Sequence, residues 1–301
     1  PYPEIKELRL LYRKLRDFSP DLIIAIGGGS VIDYAKMANL NGIDFKLEKK
    51  IRNNSYKISG NFKNLIAVPT TAGSGAEATS NAVIYLNKVK YSIEGEKLKP
   101  YMYFLLPEIV IKNKKTLKAS AGFDAISQAV ESIISVKSTK ASLIYATKSL
   151  DLSLENYLDF IKKPSLSNSK KMCLAALYSG KAISISKTTA PHAVSYPFTS
   201  LYNISHGHAV SLTLEKFLKF NFINSNRAIT KFDIKKRYLK LFNIFKVKNI
   251  NELEKKIIFL KESARLIDDF KQLNINIDAN IERILDGVNL MRLGNNQIKL
   301  E

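Results

Sequence analysis

The sequence predicts an α/β N-terminal domain, with a parallel sheet flanked by helices, followed by an all-helical C-terminal domain. In the first third of the chain, short apolar segments of strand length alternate with segments of helical periodicity. From about Lys112 onward the periodicity is helical only. We therefore place the domain boundary between residues 1–111 and residues 112–301.

Local patterns define the elements of the N-terminal domain. Residues 5–18 are amphipathic with helical spacing, and residues 21–26 and 64–68 are almost wholly apolar segments of strand length. Such segments are typical of strands buried on both faces of a parallel sheet. A helix is predicted over residues 31–40, and residues 81–91 alternate as in a hairpin or an edge strand.

The C-terminal domain is predicted as a series of helices. Ser138 is placed to cap the second helix and Asp278 the last, and residues 162–171 have the composition of a surface loop. The predicted helices span residues 121–135, 139–161, 169–186, 209–222, 229–245, 250–270 and 280–291.

Length and composition are those of a globular protein. The chain has 301 residues, of which 46% are hydrophobic and 25% charged, so each domain can bury a sizeable core. No apolar segment is long enough to cross a bilayer and no signal-peptide pattern is present, so we expect a cytoplasmic protein without a membrane partner. The single cysteine, Cys173, excludes an internal disulfide framework and a multi-cysteine zinc site.

The charge balance is strongly basic. Lys and Arg number 47 against 27 Asp and Glu, which gives a net charge of +20. Because the lysines are scattered rather than gathered into one arm, we do not expect nucleic acid as the partner. An anionic small substrate or cofactor accounts for the charge equally well.

A glycine-rich turn, Gly27-Gly28-Gly29-Ser30, lies between the first predicted strand and the following helix. Glycines let backbone N–H groups approach a ligand closely, and a helix N-terminus favours a diphosphate. Ser30 is expected to cap the helix, with Asp33 three residues later as in a capping box. The standard GxGxxG fingerprint is absent, and a simple tight turn is the alternative interpretation.

A second loop, over residues 69–79, follows the second predicted strand and is rich in small and hydroxyl residues. Ligands of open α/β sheets bind at this carboxyl edge. Hydroxyls such as those of Thr70, Thr71 and Ser74 can hold ribose or phosphate. An ordinary flexible loop is the alternative, but two such loops after two strands favour a nucleotide-sized site.

All three histidines lie between His192 and His208. Upstream, Asp124 and Gln128 are four residues apart in a predicted helix, so both can point one way. One carboxylate and two imidazoles suit a divalent first-row metal, which makes Asp124, His192 and His206 candidate ligands. The alternative is that Asp124 caps its helix and the histidines are structural.

Taken together, these segments resemble the iron-containing alcohol dehydrogenase family. Residues 27–36 are similar to its GGGSxxDxxK motif, and residues 69–77 to its PTTxGxGxE loop. Residues 122–125 resemble its GxDA helix start, and His192 and His206 its paired downstream histidines. The resemblance covers nearly the whole chain in the same order.

The resemblance implies an architecture shared with dehydroquinate synthase. A dinucleotide-binding N-terminal domain and a helical C-terminal domain would hold a divalent metal, Fe²⁺ or else Zn²⁺, in the cleft between them, in a homodimer or larger oligomer. Asp124, His192 and His206 match three of the four family metal ligands. The positions expected to bind NADH or NADPH are Gly27, Gly28, Gly29, Ser30, Asp33, Thr70, Thr71, Ser74, Asn81 and Lys90.

Two positions depart from the family pattern. The fourth metal ligand, a histidine in the family, is here Gln128, whose amide oxygen is a weaker ligand than imidazole. A second downstream histidine is here Tyr196, which changes the usual proton relay. The family's first βαβ segment, which helps to select NAD or NADP, is also expected to be missing before Pro1.

Within the family, residues 124–132 and 186–196 are most similar to the phosphonoacetaldehyde reductases of phosphonate biosynthesis, which form 2-hydroxyethylphosphonate. Lys187, Thr188 and Thr189 carry a charge and two hydroxyls that can bind phosphonate oxygens. Alternatively, Lys187 is a solvated helix residue and the threonines cap a helix.

The resemblance implies reversible reduction of an aldehyde, with hydride from the nicotinamide and the metal as a Lewis acid at the carbonyl oxygen. Water, Tyr196 or His208 can deliver the proton, and His208 titrates nearer neutral pH than Tyr196. Three alternatives stay open: a general dehydrogenase of short uncharged aldehydes, a lyase-type cyclisation as in dehydroquinate synthase, and a non-enzymatic remnant that has lost its metal.

Overall fold

A three-stranded parallel sheet organises the N-terminal part of the computed structural model, which describes residues 3–41, 46–53, 55–58, 60–87 and 89–300. Its strands β1 (Leu22–Gly27), β2 (Asn64–Pro69) and β5 (Met102–Tyr103) lie in the order β1-β2-β5, and both pairings are parallel, as predicted. Leu22 pairs with Asn64 at one end of the β1–β2 ladder, and Gly27 pairs with Pro69 at the other.

Helix α2 (Gly29–Ala38) covers one face of this sheet. Ile32 of that helix packs with Ala25 of β1 and Ala67 of β2 in a small buried cluster. The helices of this part are α1 (Ile5–Phe18), α2 (Gly29–Ala38) and α3 (Leu47–Arg52).

The other face of β1 is open. Leu22, Ile24 and Ile26 are 42%, 55% and 60% exposed, while the intervening Ala25 is buried. The prediction of a strand buried on both faces is therefore wrong for β1, since no element of the described ranges covers this side.

Residues 81–91 form most of a hairpin, one of the two predicted arrangements. β3 (Asn81–Leu86) pairs antiparallel with β4 (Val89–Glu94). Side chains alternate between the two faces of a strand, so Lys90, Ser92 and Glu94 lie on the same face of β4. Lys90 and Ser92 of this face line a cavity.

Every regular element within residues 112–300 is helical, as predicted, although the exact domain boundary near residue 111 stays a prediction. Sixteen of the twenty residues of helix α5 (Lys115–Ile134) are buried, which makes it the central helix. The helices are α4 (Pro107–Val110), α5 (Lys115–Ile134), α6 (Lys140–Lys162), α7 (Leu166–Ser186), α8 (Ala190–Tyr202), α9 (His206–Ser211), α10 (Leu214–Ile223), α11 (Ile234–Phe245), α12 (Ile250–Ser263), α13 (Ile277–Asp286) and α14 (Leu290–Leu293).

Several predicted helix ends are wrong because neighbouring polar residues cap the helices instead. Thr139, not Ser138, caps α6 in a reciprocal box with Ser142. Asn276, not Asp278, caps α13 by accepting a hydrogen bond from the N–H of Ala279.

The predicted loop over residues 162–171 is mostly helix. α6 continues to Lys162, and α7 begins at Leu166 because Ser165 and Asn168 form a capping box. The helix predicted over residues 209–222 is divided into α9 and α10, and that predicted over 250–270 ends at Ser263.

The largest buried cluster joins α5, α6 and α7 to α11 and α12. Phe123, Ile126 and Val130 of α5 are fully buried in it. Because this packing fixes α5 on most sides, the polar residues on its remaining face are held rigidly. Among the described residues, no helix combines the length and apolarity needed to cross a membrane.

Candidate metal centre and cofactor cavity

Residues from both parts of the sequence line one cavity of about 600 Å³, a volume in the range of cofactor and ligand sites. The glycine turn before α2, the loop after β2 and the β3–β4 hairpin contribute to its walls. Helices α5, α8 and α9 contribute most of the rest. Their polar residues decide what the cavity can bind.

Three candidate metal ligands converge on the helical side of this cavity. Asp124 of α5, His192 of α8 and His206 of α9 place one donor atom each within 4.8 Å of one another. The Nε2 of His192 lies 3.2 Å, and that of His206 3.9 Å, from the Asp124 Oδ1. Donors around one ion with bonds of about 2.1 Å are about 3 to 3.5 Å apart, so small adjustments suffice for a shared cation.

Glu131 orients His192 from the opposite side of the imidazole. The Glu131 carboxylate is fully buried and forms a short hydrogen bond with the His192 Nδ1. Its other oxygen accepts hydrogen bonds from the backbone N–H and the hydroxyl of Thr189. A carboxylate at Nδ1 fixes the tautomer and points the Nε2 lone pair at a metal.

The electrostatics of the cluster match a site built for a cation. Burial would lower the pKa of His192, but Glu131 and Asp124 outweigh it and raise that pKa to about 9. Burial and the nearby Lys90 hold the pKa of His206 well below its usual value. Burial would raise the pKa of Asp124, but His206, His192 and Lys90 hold it below its usual value.

His206 reaches the cluster because Gly207 lets α9 approach α5 closely. A Cβ on Gly207 would lie only 1.9 Å from the carbonyl oxygen of Ser120. In addition, the backbone N–H of His208 donates to the Ser120 hydroxyl. The Nδ1 of His206 is buried without a hydrogen-bond partner in the described part of the chain.

Gln128, the predicted fourth ligand, lines the cavity one turn after Asp124. Its Oε1 accepts a hydrogen bond from the hydroxyl of Ser179 at 2.9 Å. Its Nε2 donates to the backbone carbonyl of Ser74 at 3.4 Å. The amide therefore links α5 to α7 and to the loop after β2 in this conformation.

Most predicted cofactor positions lie on the cavity wall. Gly29 approaches so closely that a Cβ there would lie 2.6 Å from the Ser74 hydroxyl. Gly27 and Thr70 do not line the cavity. The backbone N–H of Thr70 donates a hydrogen bond to the backbone carbonyl of Gly27. The lining members are Gly28, Gly29, Ser30, Asp33, Thr71, Ser74, Asn81 and Lys90.

The predicted capping box at α2 is wrong. Gly28, not Ser30, occupies the N-cap position, and no side chain caps it. Asp33 instead accepts a hydrogen bond from the N–H of Val83 and lies 3.8 Å from the ammonium of Lys36. Burial raises the pKa of Asp33, although Lys36 offsets part of the effect. Asp33 thereby joins the helix to the hairpin.

Tyr196 of α8 lies beside the metal ligands. Its ring is buried, lines the cavity and lies 6.0 Å from the ring of His206. The Lys90 ammonium lies 3.7 Å from the centre of the Tyr196 ring, a cation–π contact. Burial raises the pKa of Tyr196, and burial together with Arg292 lowers that of Lys90 to about 7.

The expectation that His208 delivers a proton at the site is wrong. His208 lies two residues after His206 on α9, so the two side chains point to different sides of the helix. The Nε2 of His208 bonds the backbone carbonyl of Ile267 at 2.6 Å, away from the cavity.

Of the three residues predicted to bind a phosphonate, one lines the cavity and two do not. Thr188 lines the cavity, but Lys187 and Thr189 do not. Lys187 makes a 3.1 Å ion pair with Glu94, and the hydroxyl of Thr189 is occupied by Glu131. Lys187 and Thr189 are thus engaged with other residues in this structure, and their contact with a ligand stays a prediction.

Sequence reasoning missed three residues. Glu131 lies seven residues after Asp124 on α5, and this two-turn spacing was the available signal. Arg292 and Asn289 reach the cavity from the start of α14, and no local pattern marked them because their partners lie about two hundred residues away on β4.

Family comparison decides the assignment. The family model for "Iron-containing alcohol dehydrogenase" matches residues 1–107. The model for "Fe-containing alcohol dehydrogenase family, C-terminal" matches residues 118–293. The chain belongs to the iron-containing alcohol dehydrogenase family. The resemblance proposed from the glycine turn and the histidines is thus confirmed.

Individual members of the family are more distant. A phosphonoacetaldehyde reductase of Streptomyces viridochromogenes is 33% identical over 70% of this chain and 56% of its own length. A 4-hydroxybutyrate dehydrogenase of Clostridium kluyveri is 28% identical over 72% of this chain and 59% of its own length. This chain therefore spans little more than half the length of these relatives.

Solved structures share the fold over the whole chain. A sulfoacetaldehyde reductase from Bifidobacterium kashiwanohense, solved with NAD⁺, has a TM-score of 0.86 and 25% identity, covering 100% of this chain and 78% of that one. An alcohol dehydrogenase from Oenococcus oeni has a TM-score of 0.88 at 23% identity, covering 100% and 79%. The two-domain architecture of an iron-containing alcohol dehydrogenase is therefore confirmed.

Proposed function

We propose that this chain catalyses metal-dependent reduction of phosphonoacetaldehyde to 2-hydroxyethylphosphonate with NADH or NADPH, in phosphonate biosynthesis. The observation that carries the proposal is the convergence of Asp124, His192 and His206 in the cavity that the glycine turn also lines. The Streptomyces relative supports this substrate by its name, and the Bifidobacterium structure supports an aldehyde with an anionic tail.

The residues present fit a divalent cation. Asp124, His192 and His206 would hold it, because their donor set of one carboxylate and two imidazoles suits Fe²⁺ or Zn²⁺. When bound, the cation supplies a Lewis acid for the carbonyl oxygen and the nicotinamide supplies the hydride.

The chain's own residues orient these groups. Glu131 holds the His192 ring so that its Nε2 faces Asp124. The backbone N–H groups at the start of α2, with Gly28 and Gly29 at its turn, offer donors to the cofactor diphosphate. Ser74 packs against this turn and keeps the two loops together.

Tyr196 is the side chain we assign to proton delivery. It lines the cavity beside His206, whereas His208 does not. Because burial raises the pKa of Tyr196, its hydroxyl keeps its proton at neutral pH and can donate a hydrogen bond to an alkoxide oxygen.

The test is an anaerobic assay with ferrous iron. Nicotinamide oxidation is followed with phosphonoacetaldehyde and with butyraldehyde, each with NADH and with NADPH. A strong preference for phosphonoacetaldehyde supports the proposal. Equal or faster turnover of butyraldehyde overturns the substrate assignment and leaves a general dehydrogenase, which a 1-propanol dehydrogenase relative at 28% identity supports.

Metal binding separates the enzyme from a non-enzymatic remnant. Titration with Fe²⁺ and Zn²⁺ should give one ion per chain in the wild type and none in Asp124→Ala or His206→Ala. A wild-type chain that binds neither ion would support the remnant, and full activity of metal-free His206→Ala would exclude the proposed mechanism. The homodimer or larger homo-oligomer expected from the family belongs to the same proposal and is tested by the mass in solution.

A further inference from the structure

Two basic side chains enter the cavity from the hairpin and from the last helix. Lys90 lies on β4, and Arg292 lies on α14 and is 8% exposed. Both line the cavity. Arg292 is buried and Lys90 is partly buried, and because a buried cation normally has a partner of opposite charge, the nearby acids decide how much positive charge remains.

The nearby acid neutralises only part of this charge. Glu94 accepts a hydrogen bond from the Arg292 Nη2 at 3.1 Å, and its other oxygen pairs with the Lys187 ammonium at 3.1 Å. Burial would raise the pKa of Glu94, but Arg292 and Lys187 hold it below its usual value. One carboxylate therefore serves two cations, and Lys90 adds a third basic group.

The acids that line the cavity have other partners. Asp33 is bonded to the N–H of Val83 and lies near Lys36. Asp124 faces the two histidines of the metal centre. Among the described residues, neither acid forms an ion pair with Arg292.

The guanidinium is held in one orientation with donors to spare. Its Nη2 donates to the Ser92 hydroxyl at 2.9 Å and to Glu94, and the side chain also hydrogen-bonds to Tyr196. The backbone of Arg292 is fixed as well, because Asn289 caps its N–H. A guanidinium carries five N–H groups, so those not used by these three partners remain for contact with an oxyanion.

The position of this group relative to the metal ligands suits a short molecule. The Lys90 ammonium lies over the Tyr196 ring, and that ring lies next to His206. Arg292 is close enough to Tyr196 to lower its pKa against the effect of burial. A carbonyl held at the metal ligands would therefore direct its tail past Tyr196 toward Arg292.

We propose that Arg292, supported by Lys90, forms an oxyanion subsite that selects short aldehydes with a phosphonate, sulfonate or carboxylate tail. Lys187 is a positioning residue in this subsite, since it holds the second oxygen of Glu94 and leaves Arg292 with net positive charge. The inference rests on the proposed aldehyde reduction and assigns the tail of its substrate. The same oxyanion chemistry also occurs in the phosphates of the cofactor, so the test separates the two sources.

The experiment compares wild type, Arg292→Met and Arg292→Lys on phosphonoacetaldehyde and on butyraldehyde. The ratio of their kcat/KM values should fall about 30-fold in Arg292→Met, the worth of a charged hydrogen-bonded contact, and recover partly in Arg292→Lys. Arg283→Met is the matched control, because Arg283 is an exposed arginine on the neighbouring α13. An unchanged ratio in Arg292→Met overturns the proposal.

The cofactor arm uses the same proteins. The KM for NADH and for NADPH should stay within about threefold of the wild-type values in Arg292→Met. A large rise in either KM with an unchanged substrate ratio would assign the oxyanion to the cofactor and overturn the proposal.

A binding measurement tests the subsite independently of the catalytic activity. Calorimetric titration of the metal-free chain with 2-hydroxyethylphosphonate should give a dissociation constant about 30-fold weaker in Arg292→Met than in wild type. If wild type binds this phosphonate through Arg292 but reduces no aldehyde, the proposed function fails and the subsite stands. If wild type does not bind it, or binds it independently of residue 292, the subsite is wrong. Unfolding curves of both variants confirm that they are folded.

Discussion

Glu131 and His192, 61 residues apart in sequence, form a buried hydrogen-bonded pair between α5 and α8. The carboxylate that fixes His192 therefore comes from the helix that supplies Asp124. Because α5 is packed on most sides, one rigid element sets both the position of a candidate ligand and the orientation of another. This relationship gives the metal centre its geometry before any cation binds.

Replacement of Glu131 by Gln should weaken metal binding. The amide is neutral, so the His192 imidazole loses a negative partner and becomes a poorer ligand, and such changes cost about 10- to 100-fold in affinity. The dissociation constant for Zn²⁺ or Fe²⁺ is measured by competition with a chelator. Glu155→Gln, an exposed site on α6, is the control and should not change it. Equal affinities in all three proteins would exclude this role.

Replacement of Gln128 by Ala should have a smaller effect on metal affinity than replacement of Asp124 by Asn. Both polar atoms of Gln128 are engaged with Ser179 and Ser74, so we expect a loss of less than about tenfold. Asp124→Asn removes the central charge of the cluster and should lose about 100-fold or more. The same chelator competition measures both. Losses of equal size would make Gln128 a full ligand.

Replacement of Gly207 by Ala should separate α9 from α5. The new Cβ would lie 1.9 Å from the Ser120 carbonyl oxygen, which is backbone and cannot turn aside. We expect a loss of about 3 kcal/mol in the free energy of unfolding together with weaker metal binding. Gly60→Ala is the control, because its Cβ would have ordinary contacts only. Urea unfolding measures the stability of both variants, and chelator competition measures their metal affinity. A stable Gly207→Ala chain with normal metal affinity would contradict the packing argument.

The parts of the fold that were predicted correctly depend on local chemistry. β2 and the glycine turn are recognisable because an apolar strand, a tight turn and a helix follow one another within a few residues. Helix ends were predicted less well, since Thr139 and Asn276 compete with adjacent polar residues for the same capping role. The exposed face of β1 had no signal, because exposure depends on what the rest of the chain covers.

The candidate site, like the fold, was predictable from sequence only in part. Asp124 and His192 are 68 residues apart, and only the resemblance to a family joined them in advance. His208 was misassigned because residue type says nothing about which side of α9 a ring occupies. Arg292 could not be found from sequence, since its partners Ser92 and Glu94 meet it only after the hairpin and the last helix pack together.

Cys173 should be unreactive in the folded protein. Burial raises the pKa of its thiol to about 12, and its side chain is almost fully enclosed. Thiolate is the reactive form, so at pH 8 its fraction is about one in ten thousand. Because this is the only cysteine, Ellman's reagent should report no thiol in the native state and one after unfolding in guanidinium. Rapid native labelling would show that the cluster around α7 opens readily.

Replacement of Tyr196 by Phe should lower kcat without removing the metal. The phenol lines the cavity beside His206 and can donate a proton, and loss of such a donor costs about 100-fold or more. Burial raises the pKa of Tyr196, so its ionisation should not shape the pH profile of the wild type below pH 10. Tyr202→Phe is a matched control, because Tyr202 lies on the same helix and its buried hydroxyl bonds no described residue. Metal content and kcat are measured on the same samples. If Tyr196→Phe retains full kcat with full metal content, water delivers the proton and Tyr196 only supports the Lys90 ammonium over its ring.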